Sequence, residues 1–493
     1  MTVMSKKTSL IILILVSIGV HFAFFGQPNE TVFDEVHFGK FVSAYYTHQY
    51  SFDIHPPGGK LIIAGFAKLF NYSAEGGSFA QIGQPFPGHK YLALRFLPTL
   101  AGVLLPIIIY FLALELGFST LGAFGAGVLI ALENALLTQS RYILLDPFLL
   151  VFGFASLLFY FKYRSAVQNW KLKIGNWKFL LPMALFGGLS MSIKWTGLAF
   201  LGLAGIIELI DMARAISFRR MINLVLYFAI IPVLLYFSIF VLHFSLLTKS
   251  GEGDAFMTPA FQRSLQGSTY TNDPTIKPLN TFQKFIELNK EMYVANQTLT
   301  ATHPYSSKWY TWPFMIRPIY YWNHPAPTVA SGGAQIAESK IYLIGNPFIW
   351  WSSTVAILYL LVSSIFDWLG AKIKSQKFVI RNSQFVILAG FLINLLPFIG
   401  IGRVMFLYHY LASLIFAILA LIYLIDPDRN RSASVVSGQP VSNGASQQKN
   451  RRNIIIGTLI IASLVFLYFA PLSYGLPLNA SAFQNRLWLT TWQ

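Results

Sequence analysis

Asp34 and Glu35 stand side by side early in the chain. Phe38, Phe41, Val42 and Tyr45 follow at the i, i+3, i+4, i+7 spacing of an amphipathic helix. A helix over Phe33–Tyr46 sets Asp34 on the edge of that apolar stripe. Partial burial raises a carboxylate's pKa and makes it a better base at neutral pH; a solvated loop carboxylate is the plainer alternative. Further charges stand at the edges of apolar runs: Arg95, Arg141 with Asp146, Lys194, and Arg403 ahead of His409. Charge at membrane depth is costly and points to function by default. Plainer roles exist here too. Arg95 and Arg141 could snorkel, Arg141 could pair with Asp146, and a lone histidine such as His409 is more often a packing residue. Taken together, cations beside a carboxylate at a bilayer surface suit cleavage of a lipid-linked phosphate next to a base.

The stretch from His303 through Trp309, Trp312 and Arg317 to Trp322 is dense in aromatic rings. Such density suits stacking on sugar faces, or a membrane-interface belt. The nine histidines form no HExxH and no zinc-type spacing, and there is no cysteine. No metal ligand is assigned, and a divalent metal stays open. No phosphate-binding glycine loop is present; Gly122, Gly125 and Gly127 lie in an apolar run and read as close helix packing. A transferase working outside the cell has no sugar nucleotide at hand, so its donor should be lipid-linked.

These residues need a membrane scaffold. Of 493 residues 55% are hydrophobic and 11% charged, against about 25% charged in soluble domains. That excludes an ordinary soluble enzyme and a disordered chain. The net charge of +17 then sorts to one side of a bilayer instead of indicating nucleic acid. Eleven runs reach spanning length, at about 9–25, 93–114, 120–137, 143–161, 179–193, 195–212, 221–247, 347–366, 382–400, 405–425 and 453–472. The first reads as a retained anchor. Lys6 and Lys7, the basic cluster at 162–178, Arg214, Arg219 and Arg220, the cluster at 372–381 and that at 429–452 all fall on alternate connections. The N-terminus is therefore inside and the C-terminus outside. Two outside segments are long, about 26–90 and 248–346, and loops of that length usually carry function. In the first, Pro56 and Pro57 open a stretch through Leu61, Ile62, Ile63, Phe66, Leu69 and Phe70, flanked by Lys60 and Lys68; it reads as a helix lying on the membrane. The inside segment 426–452 reads as a flexible tether.

The string Asp34-Glu35-Val36-His37-Phe38-Gly39-Lys40-Phe41, then Phe52-Asp53-Ile54-His55-Pro56-Pro57-Gly58-Gly59-Lys60, resembles the first-loop signature of protein O-mannosyltransferases. Leu94-Arg95-Phe96, Ser140-Arg141-Tyr142-Ile143-Leu144-Leu145-Asp146, Ser192-Ile193-Lys194-Trp195-Thr196-Gly197, the His303–Trp322 stretch, Tyr342–Pro347 and Phe406-Leu407-Tyr408-His409-Tyr410 are similar as well, so the resemblance covers nearly all of 30–425. It implies an all-α polytopic membrane protein of GT-C type with eleven spans. A catalytic domain would fill 1–425, followed by the 426–452 linker, the last span and an external tail to 493. It implies mannose transfer from polyprenyl (dolichyl-type) phosphate mannose to Ser or Thr of secreted proteins, with inversion and without a required cofactor. It implies a multi-pass plasma-membrane enzyme with no nucleic-acid partner, and a dimer is possible because eukaryotic relatives pair. By this resemblance Asp34 is the base and Glu35 orients a substrate. Arg95 is the first phosphate ligand, backed by Arg141, Asp146, Lys194, Arg403 and His409. His37, Lys40, His55, Pro56, Pro57 and Lys60 form the first-loop motif, and His303, Trp309, Trp312 and Arg317 an acceptor or sugar loop. The second long loop is too short for the β-trefoil insertion of eukaryotic members, which fits the smaller prokaryotic form. Two other readings compete. Another GT-C transferase, for aminoarabinose or an oligosaccharide, also places an acid in the first loop but lacks these histidine strings. A transporter should show paired repeats and midplane charges.

Overall fold

The computed structural model describes residues 5–74, 79–168, 177–214, 218–298, 300, 302–324, 337–373, 382–426 and 445–493. Most of the proposed tether, at 427–444, lies outside these residues. In chain order the main elements are α1 (Lys6–Phe22), α2 (Glu35–Thr47), α3 (Gly58–Lys68), α4 (Tyr91–Glu115), α5 (Thr120–Ala131), α6 (Asn134–Ser140), α7 (Asp146–Gln168), α8 (Trp177–Ile193), α9 (Leu198–Arg214), α10 (Phe218–Val225), α11 (Ile231–Leu246), α12 (Pro259–Gln262) and α13 (Thr281–Thr298). Then come β1 (Ile319–His324), β2 (Ala337–Leu343), α14 (Pro347–Ile373), α15 (Asn382–Leu395), α16 (Leu411–Ile425), α17 (Ala445–Tyr474) and β3 (Pro477–Asn479).

All eleven apolar runs carry helix. Among the described residues eight helices are long and apolar enough to cross a membrane, or nine if one bent pair counts as a single span. α7 packs against both α4 and α8, while α16 packs against α5, α14 and α15. α16 is apolar and buried on every face, as a central helix must be. α10 and α11, joined by a π-turn at Leu226–Ile230, leave Phe218, Val233 and Leu234 exposed and supply a lipid-facing flank.

Two expectations need correction. The run at 120–137 is not one helix: α5 and α6 meet at a 59° bend. The buried Glu133 carboxylate sits in the break and accepts from Ala135 N at 3.1 Å, an N-cap for α6, and from Asn346 N at 3.0 Å. The fold is mostly helical, as expected, and carries one small sheet. β1, β2 and β3 make a small antiparallel sheet in that order, with a bulge between Tyr320 and Trp322. Because β3 follows α17 and pairs with β2 of the second long loop, the tail lies on the face that carries that loop. Finally, α2 starts at Glu35, and Asp34 is its N-cap residue.

Candidate active site

The first helical residue, Glu35, is completely buried, and its carboxylate accepts four hydrogen bonds. Two come from the backbone, Val32 N at 2.8 Å and Ile143 N at 2.9 Å. Two come from Arg95, Nε at 2.8 Å and Nη2 at 2.6 Å. Arg95 spends its other donors on the carbonyls of Gly26, Pro28 and Glu30, at 3.0, 2.6 and 2.7 Å. The rings of Phe86, Tyr91 and Tyr142 lie 5.1–5.2 Å from its guanidinium. With every donor engaged, Arg95 has nothing left for a phosphate. The expectation that it is the phosphate ligand does not fit this placement, nor does the expectation that Glu35 orients a substrate.

This clasp fixes the residues just before it. Phe33 takes a left-handed backbone, φ 47°, and its ring lies flat on that of Tyr321, with centroids 4.0 Å apart and planes 8° apart. Phe33 N donates to Tyr321 O at 3.2 Å. Asp34 comes next, half-buried, with no side-chain capping bond. Burial pushes its carboxyl up to about 7. Lys194 opposes that rise, and the like charges of Asp146 and Asp53 add to it.

Lys194 follows the end of α8, and its Nζ donates to Asp146 Oδ1 at 2.7 Å. Asp146 Oδ2 accepts from Gln139 Nε2 at 2.7 Å, and Gln139 Oε1 accepts from the Tyr321 hydroxyl at 2.5 Å. The ring that supports Phe33 is thus tied through two side chains to the ammonium facing Asp34. α3 meets the end of α8 closely: a Cβ on Gly58 would stand 2.7 Å from Ser192 O. That approach brings His55 beside Lys194. Lys60, expected on the flank of an interfacial helix, is instead buried and ion-paired with Asp53, and it donates to His55 O at 3.0 Å. Burial lowers the Lys60 ammonium and drives the His55 imidazole well below its usual range.

A cavity of about 190 Å³ opens among His55, Asp146, Lys194, Arg403, Tyr408 and His409. Arg403 differs from Arg95. Its Nη1 donates to Val404 O at 3.3 Å, and its buried Nε has no hydrogen-bond partner. His409 is held at the cavity wall by Trp312, which is fully buried and stacked on it at 5.8 Å and 11°. Trp312 is therefore a support and not a sugar platform. Arg141 points elsewhere. It donates to the carbonyls of Ala23 and Phe24 beyond α1, both at 2.6 Å, and lies 4.7 Å from the Tyr474 ring; Asp146 is not its partner. His303 packs edge-on against Phe406. Trp309 is half-buried, Arg317 exposed, and neither lines the cavity. Pro56 and Pro57 are buried, whereas His37 and Lys40 are exposed on α2. Among the described residues no group of three or more His, Cys, Asp or Glu is placed to hold a metal ion. Sequence reasoning passed over Gln139, Tyr321, Tyr408 and Asp53 as site residues. Three of the four stand inside strings already singled out, and Gln139 directly precedes one, but no spacing rule marks it.

Residues 11–248 match the family described as "Dolichyl-phosphate-mannose-protein mannosyltransferase". Residues 281–492 match the "C-terminal four TMM region of protein-O-mannosyltransferase". The chain belongs to the protein O-mannosyltransferase family. It is 35% identical over 269 residues to Protein O-mannosyltransferase 1 of Drosophila melanogaster, which covers 52% of this chain and 30% of that protein. It is 32% identical to Dolichyl-phosphate-mannose--protein mannosyltransferase 4 of Candida albicans, over 57% of this chain and 38% of the relative. The chain thus spans about a third of the length of these curated relatives. A longer match, 23% identical, joins 94% of this chain to 75% of the Candida albicans mannosyltransferase 1. It runs over 689 residues, more than this chain's 493, so that relative carries residues within the matched region that are missing here. The fold agrees with the Saccharomyces cerevisiae Pmt1–Pmt2 complex bound to the sugar donor, at TM-score 0.87 and 20% identity over all of this chain and 93% of that one. The Archaeoglobus fulgidus oligosaccharyltransferase is more distant, at TM-score 0.52 and 14% identity over 98% of this chain and 57% of that one. The fold is therefore that of the GT-C glycosyltransferases.

Proposed function

We propose that this protein transfers a mannosyl residue from polyprenyl (dolichyl-type) phosphate mannose to Ser or Thr hydroxyls of secreted or membrane proteins at the external face of the plasma membrane. One observation carries the reading. Asp34 has a carboxyl pushed up to about 7, no side-chain capping bond, and as electrostatic neighbours Lys194 and Asp146, which line the cavity that also holds Arg403. In the reaction the Asp34 carboxylate takes the hydroxyl proton as the acceptor oxygen bonds to the anomeric carbon. The bond from that carbon to the phosphate oxygen breaks on the opposite side, inverting the configuration. The departing lipid phosphate gains charge, which Arg403 and Lys194 offset. Asp146 holds Lys194 in place. A lipid phosphate is a good leaving group, so the chemistry requires no metal.

The external face follows from the positive-inside arrangement of the loops. The missing inner segment supports the smaller form of the family without the β-trefoil insertion. Pairing is a further element of the reading, as the Saccharomyces cerevisiae neighbour is a two-protein complex. The test is transfer of radiolabelled mannose from polyprenyl phosphate mannose to a Ser/Thr peptide, with the product's anomeric configuration read by NMR. An inverted mannosyl peptide is expected; absence of transfer, or retained configuration, refutes the reading.

A further inference from the structure

The charges acting on Asp34 come from segments that line or adjoin two hollows. On one side are Lys194 and Asp146, its electrostatic neighbours, which line the cavity. On the other is Asp53, which also acts on His37. The segment around Asp53 is the partition. Ile54 and His55 line the cavity, and Ser51 and Phe52 line a second, outer groove of about 690 Å³. We infer that this groove binds the acceptor polypeptide as an extended segment and delivers its hydroxyl to Asp34 across the partition. The inference rests on the mannosyl-transfer reading and adds where the acceptor lies.

Geometry and chemistry both favour a polypeptide. One bank is α2 from His37 to Thr47, about 15 Å of helix at 1.5 Å per residue. That length holds about four or five residues of extended chain. The other bank is Gly251 to Phe256. It lies flush on the partition: a Cβ on Gly251 would stand 2.4 Å from Tyr50 O, and one on Gly253 2.5 Å from Phe52 N. Phe52 and Phe256 stack at 4.3 Å and 19°, and Phe256 remains 50% exposed. Lys40 and Glu252 bring opposite charges to the same groove. A stacked aromatic pair with one exposed ring, in a groove that also holds a cation and an anion, suits mixed side chains and amides, whereas a prenyl tail needs unbroken apolar walls. In an inverting displacement the attacking oxygen must approach opposite the leaving phosphate. A groove across the partition from Lys194 and Arg403 meets that requirement, and His37 at its near end is one turn from Asp34.

The chain has no cysteine, so a single introduced thiol reports on one place. Thr47→Cys should be alkylated by a Ser-containing peptide bearing a bromoacetyl group, and unmodified peptide should slow that labelling. Ser481→Cys, exposed on the tail, should show no such competition. Phe256→Ser should raise the KM for acceptor peptide about tenfold and leave the KM for the lipid donor unchanged. Lys40→Glu should shift preference from peptides with Glu beside the acceptor serine toward peptides with Lys there. If the parent transfers mannose, yet Thr47→Cys labels without competition and both groove variants keep the parent's acceptor KM and preference, the groove assignment is overturned alone. If the parent transfers no mannose to any peptide, the mannosyl-transfer reading falls, and this assignment with it.

Discussion

Glu35 and Arg95 face each other through two hydrogen bonds, at 2.8 and 2.6 Å, with neither side chain reaching solvent. The pair ties the start of α2 to α4, and through Ile143 N it also reaches the turn before α7. Removing one partner of a buried ion pair leaves an uncompensated charge and costs about 3–5 kcal/mol. Arg95→Ala and Glu35→Ala should therefore lower the yield and melting temperature of detergent-purified protein. Arg95→Lys should rescue little, because an ammonium cannot replace the two-pronged bond. A normal melting temperature with a raised donor KM in Arg95→Ala would return Arg95 to the phosphate.

Arg403 takes over that role in the present account. A hydrogen bond to a charged group contributes about 1.5–3 kcal/mol, so Arg403→Ala should raise the donor KM roughly ten- to a hundredfold. Its melting temperature should stay near the parent's, since its Nη1 makes only a long bond to the neighbouring Val404 O and its buried Nε has no partner. Unchanged donor KM would remove Arg403 from the phosphate site.

Tyr321 reports on how the base is held. Tyr321→Phe keeps the stack on Phe33 and loses only the bond to Gln139. Its kcat should fall less than that of Tyr321→Leu, which loses the stack as well. Equal kcat for the two variants would show that the ring does not position Asp34.

The pH dependence of stability isolates Asp34 from its chemistry. Its carboxyl in the fold is pushed up to about 7 from 3.8. Across that window the native state keeps a proton that the unfolded chain releases, so the residue costs stability as pH rises. Asp34→Asn carries no such cost. The variant should melt above the parent at pH 8, and the difference should vanish near pH 3. A variant less stable than the parent at pH 8 would show that the carboxylate is favourably paired.

Much of this molecule was legible in local pattern. Each of the eleven apolar runs carries helix because length and hydropathy alone decide what can span a bilayer. Asp34, His55 and Lys194 are legible as a set; His55 and Lys194 line one cavity, and Lys194 acts on Asp34. What local pattern missed is long-range pairing. Glu35 and Arg95 are far apart in sequence, and nothing in either neighbourhood shows that one fully consumes the other. The break between α5 and α6 depends on Asn346, more than two hundred residues away. Lys60 flanks an apolar stripe and reads as interfacial, but Asp53 takes it inward. Tyr321 looked like one ring among many until β1 laid it under Phe33.

The most direct measurement is turnover by Asp34→Asn with saturating lipid donor and Ser/Thr peptide, paired with donor binding by the same protein. The substitution keeps the size of the side chain and removes its basicity. General-base contributions are about 10² to 10⁴-fold in rate. A fall of that size with donor affinity retained is expected, alongside a parent kcat/KM that rises with pH through an inflection near 7. Near-normal turnover by Asp34→Asn would contradict the assignment of Asp34 as the base.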